Sequence, residues 1–225
     1  MERPDQFVDV IHQVALWSLP ILAAVIFHEV AHGAMALRLG DDTASRLGRL
    51  TLNPLPHIDP IGTILMPVLL LLAGAPIFGY ARPVPIDYSR LRNPRRDMVL
   101  VALAGPGTNI VLATLSALVF RFLDAQLRGI STETASPMVL GIVLPLAQMA
   151  YYSVLINVFL AVFNMLPLPP LDGGRVLTGI LPYAQARVVA AIEPFGFLIL
   201  AALLMTRSIG PLIQRPVQLI LGVLL

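Results

Sequence analysis

His28-Glu29-Val30-Ala31-His32 lies inside a stretch, Val14 to Leu39, that is otherwise almost continuously apolar. That placement decides how the chain is read, because an ionisable group at membrane depth is costly and marks a functional site. On a helix, positions i and i+4 share a face, so His28 and His32 can both turn an imidazole nitrogen toward one zinc ion. Glu29 stands beside them, placed to act as general base on water held at the metal, which is the mechanical content of an H-E-x-x-H motif. The bland alternative is a chance match, with each histidine satisfied by a neighbouring partner. Location weighs against it, since three polar residues persist in an apolar span only where they find partners.

Composition sets the same frame. Of 225 residues, 57% are hydrophobic and only 12% charged, where a soluble domain carries about a quarter charged residues. Mean hydropathy is +0.82. The chain therefore reads as a multi-pass membrane protein in a lipid bilayer: an all-α helical bundle of four to six transmembrane segments. It forms one domain over residues 1–225, with a core at 10–177 and accessory helices at 188–225. The formal charge of +2 is carried by arginine without any lysine. These arginines gather in loops beside apolar segments, the pattern of membrane flanks, and no nucleic-acid partner is expected. The absence of cysteine removes disulfides, thiolate zinc sites and cysteine nucleophiles together, so any metal must use His, Asp or Glu. No cleavable signal peptide is expected, because the first apolar run merges into the His28 helix without a small-residue cleavage site.

Outward from the motif, a first helix is expected from about Val10 to Leu39, stopped at Gly40-Asp41-Asp42. Three prolines between Pro54 and Pro60 exclude a helix there. Alternation over Leu47 to Leu52 suggests a short strand and a small β hairpin on the cytoplasmic side. Ile61 to Ile77 is apolar but only marginally long enough to span, and Pro67, Gly74 and Pro76 interrupt it. A re-entrant segment is the competing reading. Arg82, Arg90, Arg92, Arg95 and Arg96 crowd one loop, which the positive-inside rule assigns to the cytoplasm. Further spans are expected at about 98–122, 138–166 and 194–205, with an outer loop at 121–137. The tail, 210–225, reads as a half-span or interfacial helix.

Catalytic zinc normally takes three protein ligands and keeps a position open for water. Two acids compete for the third place. Glu193 precedes Pro194, and an acid at a helix start has an ordinary explanation in the positive helix end. Asp172 sits where prolines have stopped a helix and two glycines follow; its ordinary explanation, a cap on a short helix, is the weaker of the two. If Asp172 joins the two histidines, both half-sites lie near the C-terminal ends of their helices, so the first and third long spans run parallel. A full crossing by Ile61 to Ile77 would break that arrangement, so the re-entrant reading is favoured, with the site toward the arginine-rich side.

Taken together, His28-Glu29-Val30-Ala31-His32, Gly105-Pro106-Gly107-Thr108-Asn109 and Asn164 through Pro167, Leu171-Asp172-Gly173-Gly174 and Arg175 resemble the site-2 protease family of intramembrane zinc metalloproteases. The stretch Asn53 to Thr63 resembles a compact prokaryotic subgroup that lacks a PDZ domain. The resemblance implies one zinc ion bound by His28, His32 and Asp172, with Glu29 activating water. It carries Asn109 and Asn164 over as residues that bind substrate or stabilise the transition state. Their ordinary reading is an interhelical hydrogen bond, worth about 1 kcal/mol. His57 is read as a polar cap on the re-entrant segment in preference to a ligand. The implied partner is the transmembrane helix of a membrane-protein substrate, unwound locally because an intact helix hides its scissile carbonyl. The implied location is the inner (plasma) membrane, with the active site toward the cytoplasm; the oligomeric state, a homo-oligomer included, stays open. The rival from another class is a metal-ion transporter or permeation protein using the same His, Glu and Asp cluster. Self-similar halves would mark it, and none are evident.

Overall fold

The computed structural model describes residues 4–72, 79–130, 135–206 and 208–225. Helix α1, Pro4–Leu39, contains the motif. It ends where Gly40 takes φ +116°, a conformation that glycine enters without penalty. The Gly40 amide then bonds the Leu37 carbonyl and the Asp41 amide the Ala36 carbonyl, at 3.3 and 2.9 Å. This paired closure satisfies carbonyls that the helix end would otherwise orphan. Asp41, fully buried, follows at once. Its Oδ1 accepts from the Thr43 amide at 3.0 Å and its Oδ2 from the Asp87 amide at 2.8 Å. A buried carboxylate here is thus held by backbone N–H groups, closing the local turn at Thr43 and pinning the distant Asp87 segment to the end of α1.

After the single turn α2, Thr43–Arg46, the chain runs without helix until the turn Leu55–His57. No strand occurs among the described residues, so the expected hairpin at Leu47 to Leu52 is not formed. The physical reason is the lack of a ladder: Gly48 turns the chain at φ +64°, and the extended segment that passes nearby carries Pro83 and Pro85, which have no N–H to donate. Arg49 makes the contact instead, its guanidinium donating to the Arg82 carbonyl at 3.0 Å.

The segment Pro60–Leu65 coils in wide π turns and continues as α3, Met66–Leu72. Asp59 caps it, Oδ1 accepting from the Ile61 and Gly62 amides at 3.0 and 2.7 Å. Residues 73–77, the last part of the expected 61–77 segment, lie outside the described residues, as does residue 78. The chain is back at its starting point by Tyr80, whose amide bonds the Gly62 carbonyl at 3.1 Å, while the Arg82 amide bonds the His57 carbonyl at 2.9 Å. Both ends of the excursion therefore meet, as a re-entrant segment requires and a crossing forbids. A helix from residue 60 to 72 reaches at most about 20 Å, short of the roughly 30 Å hydrocarbon layer.

Helix α4, Pro94–Leu127, starts beside the end of α1, where the Arg92 amide bonds the Leu39 carbonyl at 3.0 Å. It therefore runs antiparallel to α1. Helix α5, Leu144–Asn164, returns to the same end. Ala113 and Ala117 of α4 pack against Val154 and Val158 of α5, small side chains that let the helices approach closely. Next come the short α6, Asp172–Ile180, then α7, Tyr183–Met205, and α8, Gly210–Leu224. The last of these lays Val217, Ile220, Leu221 and Leu224 on the α4–α5 seam. Helix α7 begins well before the expected start at Pro194, so Glu193 is a mid-helix residue and not the acid of a first turn. A single proline in an otherwise apolar helix costs a hydrogen bond without ending it. Among the described residues, four helices are long and apolar enough to cross a membrane: 11–39, 94–127, 139–164 and 183–205. Large apolar side chains such as Leu118, Phe122, Phe195 and Leu198 line the outside, an arrangement that suits lipid and would be a liability in water.

Candidate metal centre

His28 and His32 reach the interior from the C-terminal half of α1, and Asp172 reaches the same point from the first turn of α6. The loop of residues 165–171 brings it there. Prolines 167, 169 and 170 stop α5, and Gly173 and Gly174 let the new helix fold back onto that loop. A Cβ on Gly173 would lie 2.3 Å from the Met165 carbonyl oxygen, and one on Gly174 would lie 2.3 Å from the Pro169 nitrogen.

All three side chains are buried. The two imidazole Nε2 atoms lie 3.0 Å apart, and each is 3.2 Å from Asp172 Oδ2. The hydrogen bonds on the far sides of the rings decide what these atoms carry. His32 Nδ1 lies 2.7 Å from the Val101 carbonyl, which only accepts, so Nδ1 is the donor. His28 Nδ1 lies 2.6 Å from Asn109 Oδ1. Asn109 is oriented by its Nδ2, which donates to the Ala24 carbonyl at 3.1 Å, so His28 Nδ1 must donate too. Both Nε2 atoms therefore present lone pairs to each other and to a carboxylate. Three acceptors converge with no hydrogen between them, and Asp172 Oδ2 is left without a hydrogen-bond partner. A metal ion placed between them would satisfy all three at once.

The donor set fits zinc. Two imidazole nitrogens and one carboxylate oxygen, with a fourth place open, is a catalytic arrangement. Ligands about 2.1 Å from a tetrahedral ion stand about 3.4 Å apart, close to the spacing seen. The His28, His32 and Asp172 group is the one set of three such side chains close enough for this among the described residues. Room for it comes from α4: a Cβ on Gly105 would sit 2.3 Å from His32 Nε2 and 2.7 Å from His28 Cε1. Only glycine lets this helix pass so close.

Glu29 is half-buried, and its Oε2 accepts from the Val84 amide at 2.9 Å. The extended segment around Val84 comes near enough because Gly33 carries no side chain; a Cβ there would meet Val84 Cγ1 at 2.8 Å. Tyr88, farther along, lies under the Arg175 guanidinium at 5.4 Å. Burial raises its phenol above the ordinary value, with Asp172 and Glu193 adding to the shift against the pull of Arg175.

The structure thus brings together His28, His32, Asp172 and Asn109, with Glu29 adjoining. Asn109 is fully buried, and both its amide hydrogens are engaged, one on Ala24 and one on Asn157. It holds His28 and has no donor left for a substrate. Asn164 is half-buried; its Nδ2 donates to the Leu160 carbonyl at 3.0 Å, and its Oδ1 makes no hydrogen bond among the described residues. Glu193 stands exposed on α7, outside the cluster. His57 gives its Nε2 hydrogen to the Thr51 carbonyl at 2.9 Å, and Asp59, not His57, caps the re-entrant segment. Sequence reading missed Asn157, Gly105 as the cradle, and the Val84 amide. A polar amide in an apolar span seven residues before Asn164 was the available signal for Asn157.

The sequence model of peptidase family M50 matches residues 16–206. Among curated proteins, the chain is 37% identical over 188 residues to "Putative zinc metalloprotease YwhC" of Bacillus subtilis, covering 84% of this chain and 79% of that protein. It is 31% identical over 215 residues to "Putative zinc metalloprotease Rip2" of Mycolicibacterium smegmatis, covering 92% and 72%. A protein of the same name from Mycobacterium tuberculosis is 27% identical over 192 residues, covering 84% and 66%. No solved structure matches the chain.

Proposed function

The chain belongs to peptidase family M50, and from that premise we propose that it is a zinc-dependent intramembrane endopeptidase that cuts the transmembrane segments of single-span membrane proteins. The observation that carries this reading is the convergence of three acceptor atoms, His28 Nε2, His32 Nε2 and Asp172 Oδ2, inside a bundle of membrane-length helices. Zinc bound there supplies Lewis acidity, which activates water and polarises a peptide carbonyl. Glu29 takes the proton from the attacking water and passes it to the leaving amine. Its Oε2 is steadied by the Val84 amide, which leaves Oε1 uncommitted for that transfer. Asn109 keeps the His28 ring aimed. Asn164, with an unused amide oxygen at the end of α5, is positioned to receive a backbone N–H of the unwound substrate.

The site faces the cytoplasm in this reading. Residues 40–59 and 80–92 are tied to the end of α1 that follows the motif, and Arg38, Arg46, Arg49, Arg82, Arg90, Arg92, Arg95 and Arg96 all belong to that end. The reading extends to residence in the inner membrane and to a substrate with a single span, whose one helix can unwind to expose its scissile carbonyl. A metal-transport role is not favoured by the family to which the chain belongs.

Reconstitution tests the proposal. Purified protein in liposomes, given a panel of single-span segments, is expected to cut within the apolar stretch, as read by mass spectrometry of the products. A chelator stops the reaction and zinc restores it. Cleavage only in water-exposed tails would overturn the intramembrane assignment.

A further inference from the structure

Asn157 has no part in the reaction as derived, yet it is 1% exposed inside a membrane-crossing helix. A buried amide with no duty beyond packing is expensive at that depth. Its Nδ2 donates to the Ser153 carbonyl at 2.8 Å, an atom that only accepts, so the amide orientation is fixed. Oδ1 then faces α4 and accepts from Asn109 Nδ2 at 2.8 Å. Asn109 is held at its second hydrogen by the Ala24 carbonyl and presents Oδ1 to His28 Nδ1. The bonds run in one direction from α5 through α4 to α1, and two main-chain carbonyls dictate the polarity of the whole chain.

We infer that Asn157 is a positioning residue for the metal centre: acting through Asn109, it fixes the hydrogen of His28 on Nδ1 and so aims the Nε2 lone pair at the site. This rests on the metalloprotease reading only for its effect on zinc. A ring whose distal nitrogen is held by an oriented acceptor cannot swing or exchange tautomers freely, and such outer partners typically change metal affinity by about 10- to 100-fold. The competing account makes Asn157 an interhelical tie and nothing more. The same interface supplies a control, because Ser116 and Ser153 share a 2.8 Å hydrogen bond between α4 and α5. Ser153 Oγ also accepts from Asn157 Nδ2 at 3.3 Å, but the shorter bond to the Ser153 carbonyl sets the Asn157 orientation, and Ser116→Ala leaves that bond in place.

The test compares Asn157→Leu, Asn157→Asp and Ser116→Ala in full-length protein in detergent. Zinc affinity is measured by competition with a chromogenic chelator, and the hydrogen on His28 is read from nitrogen shifts of histidine-labelled, zinc-free protein. Wild type carries its hydrogen on Nδ1. Asn157→Leu is expected to show a mixture at His28 and to bind zinc about tenfold more weakly. Asn157→Asp restores both, since a buried neutral acid is isosteric: its carbonyl accepts from Asn109 and its hydroxyl donates to Ser153. Ser116→Ala lowers thermal stability while zinc affinity stays within about twofold. If Asn157→Leu melts lower but keeps the His28 hydrogen and the zinc affinity of wild type, the inference is overturned. Should that variant fail to fold, the wild-type spectrum decides, because a His28 hydrogen on Nε2 overturns the inference directly. Wild-type protein that binds no zinc yet holds the Nδ1 hydrogen would contradict the protease reading and leave the relay supported.

Discussion

Gly105 shows how much of the centre depends on an absent atom. A methyl group there would fall 2.3 Å from His32 Nε2, so Gly105→Ala must push either the ring or α4 aside. Overpacking of this kind costs about 1–3 kcal/mol. We expect a lower melting temperature in detergent and weaker zinc retention during dialysis against a mild chelator. Asp172→Asn separates charge from shape: the side chain still fits, but its amide puts two hydrogens where three acceptors met. Metal analysis of this purified variant is expected to show substoichiometric zinc with the helical content unchanged. At this scale the motif histidines and Glu29 were legible because ionisable residues stand out in an apolar run. Asp172 needed the proline stop and two glycines to separate it from Glu193. Asn157 left only the mark of a polar amide in an apolar span, and the Val84 amide left none, since a hydrogen-bond partner on another helix, or on the main chain, is not written in the local sequence.

Among the elements, the re-entrant segment is the least conventional. Its entry rests on Asp59, whose Oδ1 accepts from two amides. Asp59→Ala is expected to cost about 1 kcal/mol locally, seen as faster hydrogen exchange at Ile61 and Gly62 while α4 and α5 keep their protection. Three long spans were readable from hydropathy, within a few residues at most ends. The start of α7 was not, because Arg187, Glu193 and Pro194 lower the hydropathy of a helix that packing nevertheless continues. Gly196 reports that packing: a Cβ there would lie 1.9 Å from the Pro169 carbonyl oxygen, so α7 bears directly on the loop that delivers Asp172. The expected hairpin failed for the opposite reason. Alternation suggested a strand, but strands need a neighbour that can donate, and prolines 83 and 85 withhold it.

The whole molecule is a set of helices whose loops at one end, between α1 and α4 and between α5 and α7, assemble one polar site. The parallel course of α1 and α5 could be deduced before any coordinates, from the demand that two helix ends supply ligands to one ion. The chain contains no cysteine, so single substitutions allow clean topology mapping. Ser89→Cys and Leu55→Cys are expected to react with an impermeant maleimide only when it reaches the cytoplasmic face, and Arg128→Cys only from the other side. Labelling of all three from one face would contradict the orientation.

The most direct test of the central claim pairs two readings on one variant, Glu29→Gln, which keeps the three metal donors and removes only the group that moves the proton. Purified from cells that also express a single-span substrate, it is expected to hold about one zinc per chain while cleavage falls by at least about a hundredfold. Cleavage at the wild-type rate with zinc still bound would contradict the account.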